Sequence, residues 1–146
     1  NLTVNELLTI ASLVEKEGLK TDDRKLIAGV FYNRLNLGMP LQSNIAILYA
    51  EGKLGQNISL ADDAAIDTTI NSPYNVYTNL GLMPGPVDSP SLDAIEASIN
   101  QTKSDNLYFV ANVQDGKVYF ATTREEHDRN VAEHVNSKLT QSSSSN

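Results

Sequence analysis

Near its C-terminal end the sequence changes from a helical to an alternating hydrophobic pattern, and this change constrains the fold more than any other feature. Residues 107–110 and 118–121 are short apolar runs rich in strand-forming residues, and Asp115-Gly116 lies between them. An Asp-Gly pair between two such runs is a strong β-hairpin signal, because glycine readily adopts the backbone of a tight turn. A hairpin that follows several helices predicts an α+β domain with a small antiparallel sheet.

The sequence before the hairpin has the 3.6-residue period of helices. Thr3 followed by Glu6 predicts a capping box at the start of a first helix, and Gly18 is its expected end. A second helix is predicted from an N-cap at Thr21 to Gly38, with an apolar face that should pack on the first. Further helices are predicted at residues 45–50, from Ser59, at 92–99, and from Thr123 to about Leu139.

The chain has 146 residues, which predicts a single domain over residues 1–140 and a disordered Ser-rich tail over 141–146. Four of its five prolines lie within residues 71–91, together with two tyrosines and little charge. This composition favours a long, ordered, functional loop. The chain begins with Asn, so we expect a fragment of a longer protein, with any anchor or export signal upstream.

Charge and cysteine content exclude several classes of function. The net charge is −7 and no run of Lys or Arg occurs, which argues against nucleic acid and anionic lipid surfaces as partners. The absence of cysteine excludes disulfides, thiol nucleophiles and cysteine zinc sites. No apolar run approaches the roughly 18 residues that span a bilayer.

Two glutamates near the end of the first helix are candidates for chemistry. On a helical wheel the apolar face is centred near Val14, with Glu17 about 60° and Glu15 about 100° from that centre. Glu17 is therefore expected to be the more buried carboxyl. Because burial disfavours the charged form, such a carboxyl can keep its proton near neutral pH, as a general acid for glycosidic cleavage must. From spacing alone, a solvent-facing helix-end glutamate is the simpler interpretation.

Other polar residues carry weaker signals. His127 and His134 lie seven residues apart on one helix face, which is more typical of half-exposed surface histidines than of a metal site. The acidic cluster of Asp62, Asp63 and Asp67 lacks the spacing of a calcium loop. The proline-rich loop offers aromatic faces and an amide, which can bind sugars or can simply pack; these residues are Tyr74, Asn75 and Tyr77.

Several blocks of the sequence, in order and over nearly the whole chain, resemble one known family. The segment Ala-Ser-Leu-Val-Glu-Lys-Glu at residues 11–17 is similar to the Ala-Ser-Ile-Val-Glu-Lys-Glu signature of the endolytic murein transglycosylases, the membrane-bound lytic transglycosylase G family. The resemblance continues through residues 30–35, 38–43, 72–77, 81–86, 107–110 and 126–127.

The resemblance implies that Glu17 is the catalytic acid, on a domain that is lysozyme-like in having this glutamate at a helix end. It implies a carbon–oxygen lyase that cuts the bond between N-acetylmuramic acid and N-acetylglucosamine and leaves a 1,6-anhydro end. It also implies an extracytoplasmic domain on a single-pass anchor, without metal or organic cofactor, that acts on peptidoglycan strands. The residues predicted to hold the strand or Glu17 are Gln42, Asn44, Tyr74, Asn75 and Tyr77.

The sequence departs from the family pattern at three places. Asn44-Ile45 stands where the family commonly has Asp-Pro, which puts a second carboxylate at this position in doubt. Val118 stands where many members carry a His in the second hairpin strand, so a catalytic duty for that His is not general. Met83 replaces a usual Pro, and we expect no consequence.

Three alternatives to this interpretation remain open at the level of sequence. A glycoside hydrolase would use a second carboxylate, such as Asp62, Asp67 or Asp88, to activate water. A glycan-binding module would bind strands without turnover. A structural protein of a cell-wall assembly complex would bind cell-wall synthesis proteins through its acidic surface.

Overall fold

A computed structural model of the chain describes residues 2–54, 66–112 and 114–136. The helix start predicted at Ser59, the cluster residues Asp62 and Asp63, and the tail predicted over 141–146 lie outside these ranges. The described elements are α1 (Val4–Glu17), α2 (Thr21–Leu37), α3 (Asn44–Ala50), α4 (Leu92–Ile99), β1 (Tyr108–Ala111), β2 (Val118–Ala121) and α5 (Arg124–Val131), which continues into a π-helical turn, Ala132–Asn136. The predicted α+β class is confirmed.

Local sequence signals determine both ends of α1. The Thr3 hydroxyl accepts a hydrogen bond from the Glu6 N–H at 3.1 Å, and the Glu6 carboxylate accepts one from the Thr3 N–H at 3.0 Å, which confirms the capping box. At the other end the Gly18 N–H donates to the Val14 carbonyl at 3.1 Å. A Cβ at Gly18 would lie 2.9 Å from the terminal methyl group of Ile27, so a larger residue here would have to displace that side chain.

The N-cap predicted for α2 was wrong. The cap position is Lys20, without a side-chain cap, and Thr21 is the first helical residue. The Thr21 hydroxyl donates instead to the Asp93 carboxylate at 2.9 Å. A long-range partner on α4 therefore takes the hydroxyl that a local cap would have used.

Helices α1, α2 and α4 pack together around the buried core, as expected for the apolar faces of α1 and α2. Gly29 lets α2 approach the chain after α4, because a Cβ there would lie 2.7 Å from the Thr102 carbonyl oxygen. The core cluster of buried side chains comprises Ile10, Leu13, Val14, Ile27, Ala28, Phe31, Leu41, Ala46, Val76, Met83, Val87 and Ala94.

The predicted hairpin is confirmed and lies on one side of this core. Its strands are antiparallel, with Phe109 opposite Phe120, and Gly116 adopts φ 73° in the turn. Phe109 meets the core edge-on, with its ring centroid 5.7 Å from that of Phe31. Helix α5 begins at the predicted Thr123 cap, where the hydroxyl accepts from the Glu126 N–H at 3.2 Å, and it packs on both strands without burying any residue fully.

The proline-rich segment is an ordered loop held from within by one amide. Asn75 is fully buried, and its side-chain nitrogen donates to the carbonyls of Thr68 and Ile70 at 3.1 and 2.8 Å. The loop is tied to α1 by the Ser12 hydroxyl, which accepts from the Val87 N–H at 3.1 Å. These bonds satisfy backbone groups that an irregular buried segment would otherwise leave unpaired.

Candidate active-site groove

Glu17 is the last residue of α1, and its carboxylate points toward the segment that leads into α3. The Ser43 hydroxyl donates a hydrogen bond to Glu17 Oε1 at 2.9 Å. Ser43 is only 4% exposed, so this bond is shielded from water, whereas Glu17 itself is half-buried. The carboxyl is therefore oriented by a buried neighbour and remains partly exposed.

The Glu17 side chain lines a groove of about 580 Å³, which we call the Glu17 groove. Its helical side consists of Lys16, Glu17, Phe31, Arg34, residues 41–45 and Tyr77. Its hairpin side consists of residues 108–111, Arg124 and His127. This volume lies within the range of roughly 300–1,000 Å³ that is usual for small-molecule sites.

Three of the five predicted strand-holding residues lie on the wall of the groove together with Glu17: Gln42, Asn44 and Tyr77. The Tyr77 hydroxyl donates to the Asn44 side-chain oxygen. Gln42 has φ 52°, an unusual left-handed conformation for a non-glycine residue, and its N–H donates to the Val76 carbonyl at 3.2 Å. Such backbone conformations cluster at functional sites.

The other two predicted residues lie elsewhere. Tyr74 packs against Tyr49, with ring centroids 4.6 Å apart, away from the described groove wall. The buried amide of Asn75 is occupied by loop backbone, and its oxygen accepts from the Tyr77 N–H at 2.9 Å. Asn75 therefore shapes the loop that carries Tyr77, and it has no surface left for a ligand.

Sequence reasoning missed the residues that build the floor and the hairpin side. Arg34 is 7% exposed and donates from Nε to the Leu107 carbonyl at 2.6 Å and from Nη1 to the Pro40 carbonyl at 2.8 Å. Its guanidinium carbon lies 5.0 Å from the centre of the Tyr108 ring. Its only sequence signal was its place within the family-like block at residues 30–35.

The two histidines on the last helix both stack on the hairpin. The His127 ring lies 5.2 Å from that of Tyr108, and the His134 ring lies 3.7 Å from that of Tyr119. Burial lowers the pKa of His127, and the Arg124 charge acts in the same direction, so the ring on the groove wall is neutral at pH 7. Across the described ranges no group of three or more His, Cys, Asp or Glu side chains could hold a metal ion.

Glu17 is the one carboxylate among the described residues of the groove wall. Asp67 accepts hydrogen bonds from the N–H and hydroxyl of Thr69 at 2.9 and 2.5 Å in a loop turn. Both Asp88 oxygens are buried without a hydrogen-bond partner in the described part of the chain, and burial raises the pKa of this carboxyl. Neither Asp67 nor Asp88 lines the groove, and Asp62 lies outside the described residues.

The fold and the groove define an α+β domain in which the described groove wall carries one carboxyl, at a helix end, together with polar and aromatic side chains. Comparison with known sequences assigns it: the YceG-like family model matches residues 1–133, and the chain belongs to that family. The resemblance inferred from the sequence is confirmed.

Named relatives agree with this assignment. The chain is 86% identical over 139 residues to a protein of Streptococcus pneumoniae named "Endolytic murein transglycosylase", covering 95% of the chain and 25% of that protein. It is 42% identical over 137 residues to a Bacillus subtilis protein of the same name, of which it covers 36%. A crystal structure of a yceG-like protein from Listeria monocytogenes, at 44% identity, superposes with a TM-score of 0.77 over 88% of the chain and 40% of that protein. The chain thus spans a quarter to two-fifths of these proteins.

Proposed function

We propose that this domain cleaves the glycan strands of peptidoglycan and that Glu17 is the general acid. The observation that carries the proposal is the Glu17 carboxyl, fixed by Ser43 at the edge of a groove that has no other carboxylate on its described wall. The names of the relatives support the substrate, since murein is peptidoglycan. A half-buried carboxyl is suited to proton donation because its environment is only partly aqueous.

The proposed reaction is an intramolecular transfer. Glu17 gives its proton to the glycosidic oxygen between N-acetylmuramic acid and N-acetylglucosamine, and the bond from that oxygen to C1 breaks. The C6 hydroxyl of the same muramic acid then forms a bond to C1 and returns a proton to Glu17. The product is a 1,6-anhydro end, no water is consumed, and one carboxyl performs both transfers because an internal nucleophile needs no second base.

The remaining groove residues are suited to holding the strand. Gln42, Asn44 and Tyr77 offer amide and hydroxyl groups beside Glu17, and the aromatic ring of Tyr108, which contacts Arg34 and His127, lies on the same wall. Amide groups form hydrogen bonds with sugar hydroxyls, and aromatic rings pack against the apolar faces of sugar rings. Three of these side chains are already held in place, because the Tyr77 hydroxyl donates to Asn44 and the Tyr108 ring is stacked on His127, so little ordering is needed on binding.

Hydrolysis is the second candidate, and it needs a second carboxylate, such as Asp62, Asp67 or Asp88, to activate water. Asp67 and Asp88 do not line the Glu17 groove, and Asp62 lies outside the described residues. The product would then be a reducing end rather than an anhydro end. The third candidate is a glycan-binding module without turnover, which would release no new strand ends in the same experiment.

The test is digestion of purified sacculi followed by mass spectrometry of the strand ends. We expect anhydro ends from the wild type and a loss of at least about a hundredfold with Glu17→Gln, which keeps the shape but cannot donate the proton. Glu96→Gln, at an exposed helix glutamate outside the groove, is the matched control and should leave the rate unchanged. Reducing ends would establish the hydrolase, and an active Glu17→Gln variant would refute the assigned acid.

The cellular setting follows from the proposed substrate. Peptidoglycan lies outside the cytoplasmic membrane, so we propose that the domain acts on that side. Within the described residues, no helix combines the length and apolarity needed to cross a bilayer. The upstream anchor, and cell-wall synthesis proteins as partners, stay predictions.

A further inference from the structure

A second glutamate on the same helix turn faces away from the groove and into a charged network. Glu15 Oε2 accepts hydrogen bonds from the Ser91 N–H at 3.0 Å and from the Ser91 hydroxyl at 2.6 Å. Its other oxygen lies 3.5 Å from Nη2 of Arg24. Ser91 is the N-cap of α4, so Glu15 joins the end of α1 to the start of α4. The hydrogen bonds from Ser91 lower the pKa of Glu15 and keep this carboxylate ionised.

Arg24 connects this carboxylate to the residue that follows Glu17. Its Nε donates to the Gly18 carbonyl at 2.9 Å, and its Nη1 donates to Asp93 Oδ2 at 2.8 Å. Only 11% of the Arg24 side chain is exposed, so these bonds are largely shielded from water. One guanidinium therefore holds the backbone just beyond α1, a carboxylate on α1 and a carboxylate on α4.

The end of a helix is where its backbone is least constrained. The last carbonyls of a helix lack intrahelical partners, and terminal turns fray unless something holds them. Glu17 is the last residue of α1, and Gly18, at φ −127° and ψ 145°, leaves the helix in an extended conformation. Fraying here would move the proposed acid directly, and displacements of about 1 Å can reduce rates about a hundredfold.

We propose that Glu15 and Arg24 are positioning residues that hold the last turn of α1, and with it Glu17, in the geometry needed for proton transfer. The inference rests on the proposed function, because it assigns Glu17 as the acid. Glu15 acts through Ser91 and Arg24, and neither Glu15 nor Arg24 lines the described groove wall. The signature on α1 thus uses one glutamate for the reaction and the other to fix the helix that carries it.

The two ends of α1 supply a matched pair of variants. Glu15→Gln weakens the network at the Glu17 end, whereas Thr3→Ala removes the cap at the other end, far along the same helix. Both should lower Tm. We expect Glu15→Gln to lower kcat about tenfold with KM within twofold, and Thr3→Ala to leave kcat within twofold. Each variant is assayed at a temperature equally far below its own Tm. If Glu15 only stabilises the fold, the two variants will then have the same kcat, and that outcome would overturn the proposal.

Conservative replacement gives a second readout on the same network. Ser91→Ala removes the hydroxyl that donates to Glu15, and Ser91→Thr restores a hydroxyl that can still cap α4. We expect Ser91→Ala to lower kcat and Ser91→Thr to recover it. Loss of activity in both, or in neither, argues against the positioning role.

Amide hydrogen exchange tests the inference without any activity measurement. We expect the amides of residues 16–18 to exchange at least about tenfold faster in Glu15→Gln, with the amides of residues 7–10 unchanged. Unchanged exchange at residues 16–18 would refute the positioning role even if activity fell. If Glu17→Gln remained active, the proposed function would fail, while the exchange result would still report on the end of α1.

Discussion

The helical side of the Glu17 groove rests on fully buried side chains, whereas the hairpin side is only half-buried. Helices α1 and α2 bury Ile10, Leu13, Ile27 and Val30 completely. The residues of β1 are all partly exposed, and α5 has no fully buried residue. The proposed acid belongs to the well-packed side, and the aromatic wall facing it belongs to the other.

This difference has a physical consequence for the groove. Segments with few buried apolar contacts open locally at lower free energy than the core does. The hairpin side is therefore expected to open at a lower free energy than the part of the core that carries Glu17. Proton transfer needs a fixed donor, and binding a long polymer benefits from a wall that can yield.

The largest effect is expected from deleting core volume on the helical side. Leu13 is fully buried and does not line the groove, so Leu13→Ala should lower the free energy of unfolding by about 2–5 kcal/mol. The matched deletion on the hairpin side, Val118→Ala at a partly exposed strand residue, should lower it by about 1 kcal/mol. Urea denaturation of both variants measures the two values. Equal losses would contradict the contrast between the two sides.

A smaller effect is expected at the residue that joins the two sides. Arg34 donates to the Leu107 carbonyl, next to β1, and to the Pro40 carbonyl on the helical side. Lysine lacks the planar guanidinium group, so one lysine side chain cannot donate to both carbonyls. Arg34→Lys should therefore destabilise the domain by about 1–3 kcal/mol and raise KM for the glycan strand. Arg124→Lys, at an ion pair that is more than half exposed, is the control and should change stability by less than about 1 kcal/mol. If Arg34→Lys changed neither stability nor KM, the two sides would not depend on this bridge.

The smallest effect is expected from a carboxyl on the loop beside the helical side. Burial raises the pKa of Asp88 above its ordinary value of 3.8, so ionising this group opposes folding. Asp88 does not lower the free energy of unfolding at pH values below its ordinary pKa. The loss of stability develops as pH rises from the ordinary pKa through the raised pKa of the folded state. Asp88→Asn cannot ionise, so its Tm should exceed that of the wild type at about pH 7 and lose that advantage toward about pH 4.

Thermal unfolding at several pH values measures this difference. Carboxylates with lowered pKa, such as Glu51 and Asp93, destabilise both proteins as pH falls, and they cancel when the variant is compared with the wild type. An Asp88→Asn variant whose Tm difference did not change with pH would show that Asp88 is not ionised against its burial.

Much of the fold could be predicted from local sequence. The capping box at Thr3 and Glu6, the hairpin around Gly116 and the Thr123 cap are short-range signals, because their partners lie within a few residues. The prediction at Thr21 failed because its hydroxyl partner, Asp93, is 72 residues away. A single sequence carries no local trace of such a bond.

The candidate site, like the fold, was predicted where the signal is local and missed where the partners are distant in sequence. The helical wheel and the family resemblance both indicated Glu17, since a helix places its residues at known angles. The groove wall around it was only partly predicted. Asn75 resembled a ligand-binding amide in sequence, yet its side chain holds the loop together. Ser43, which orients Glu17, was indicated only by its place in the family-like block at residues 38–43.

The sequence by itself determined the described helices, the hairpin, the family and the position of a glutamate at the end of α1, because each depends on spacing along the chain or on a linear signature. Only the tertiary structure decided which side chains face Glu17 across the groove and which glutamate enters the Arg24 network. Those relations join residues far apart in sequence, such as Glu15 with Ser91 and Arg34 with Leu107. They exist only once packing of the core has brought the helices and the hairpin together.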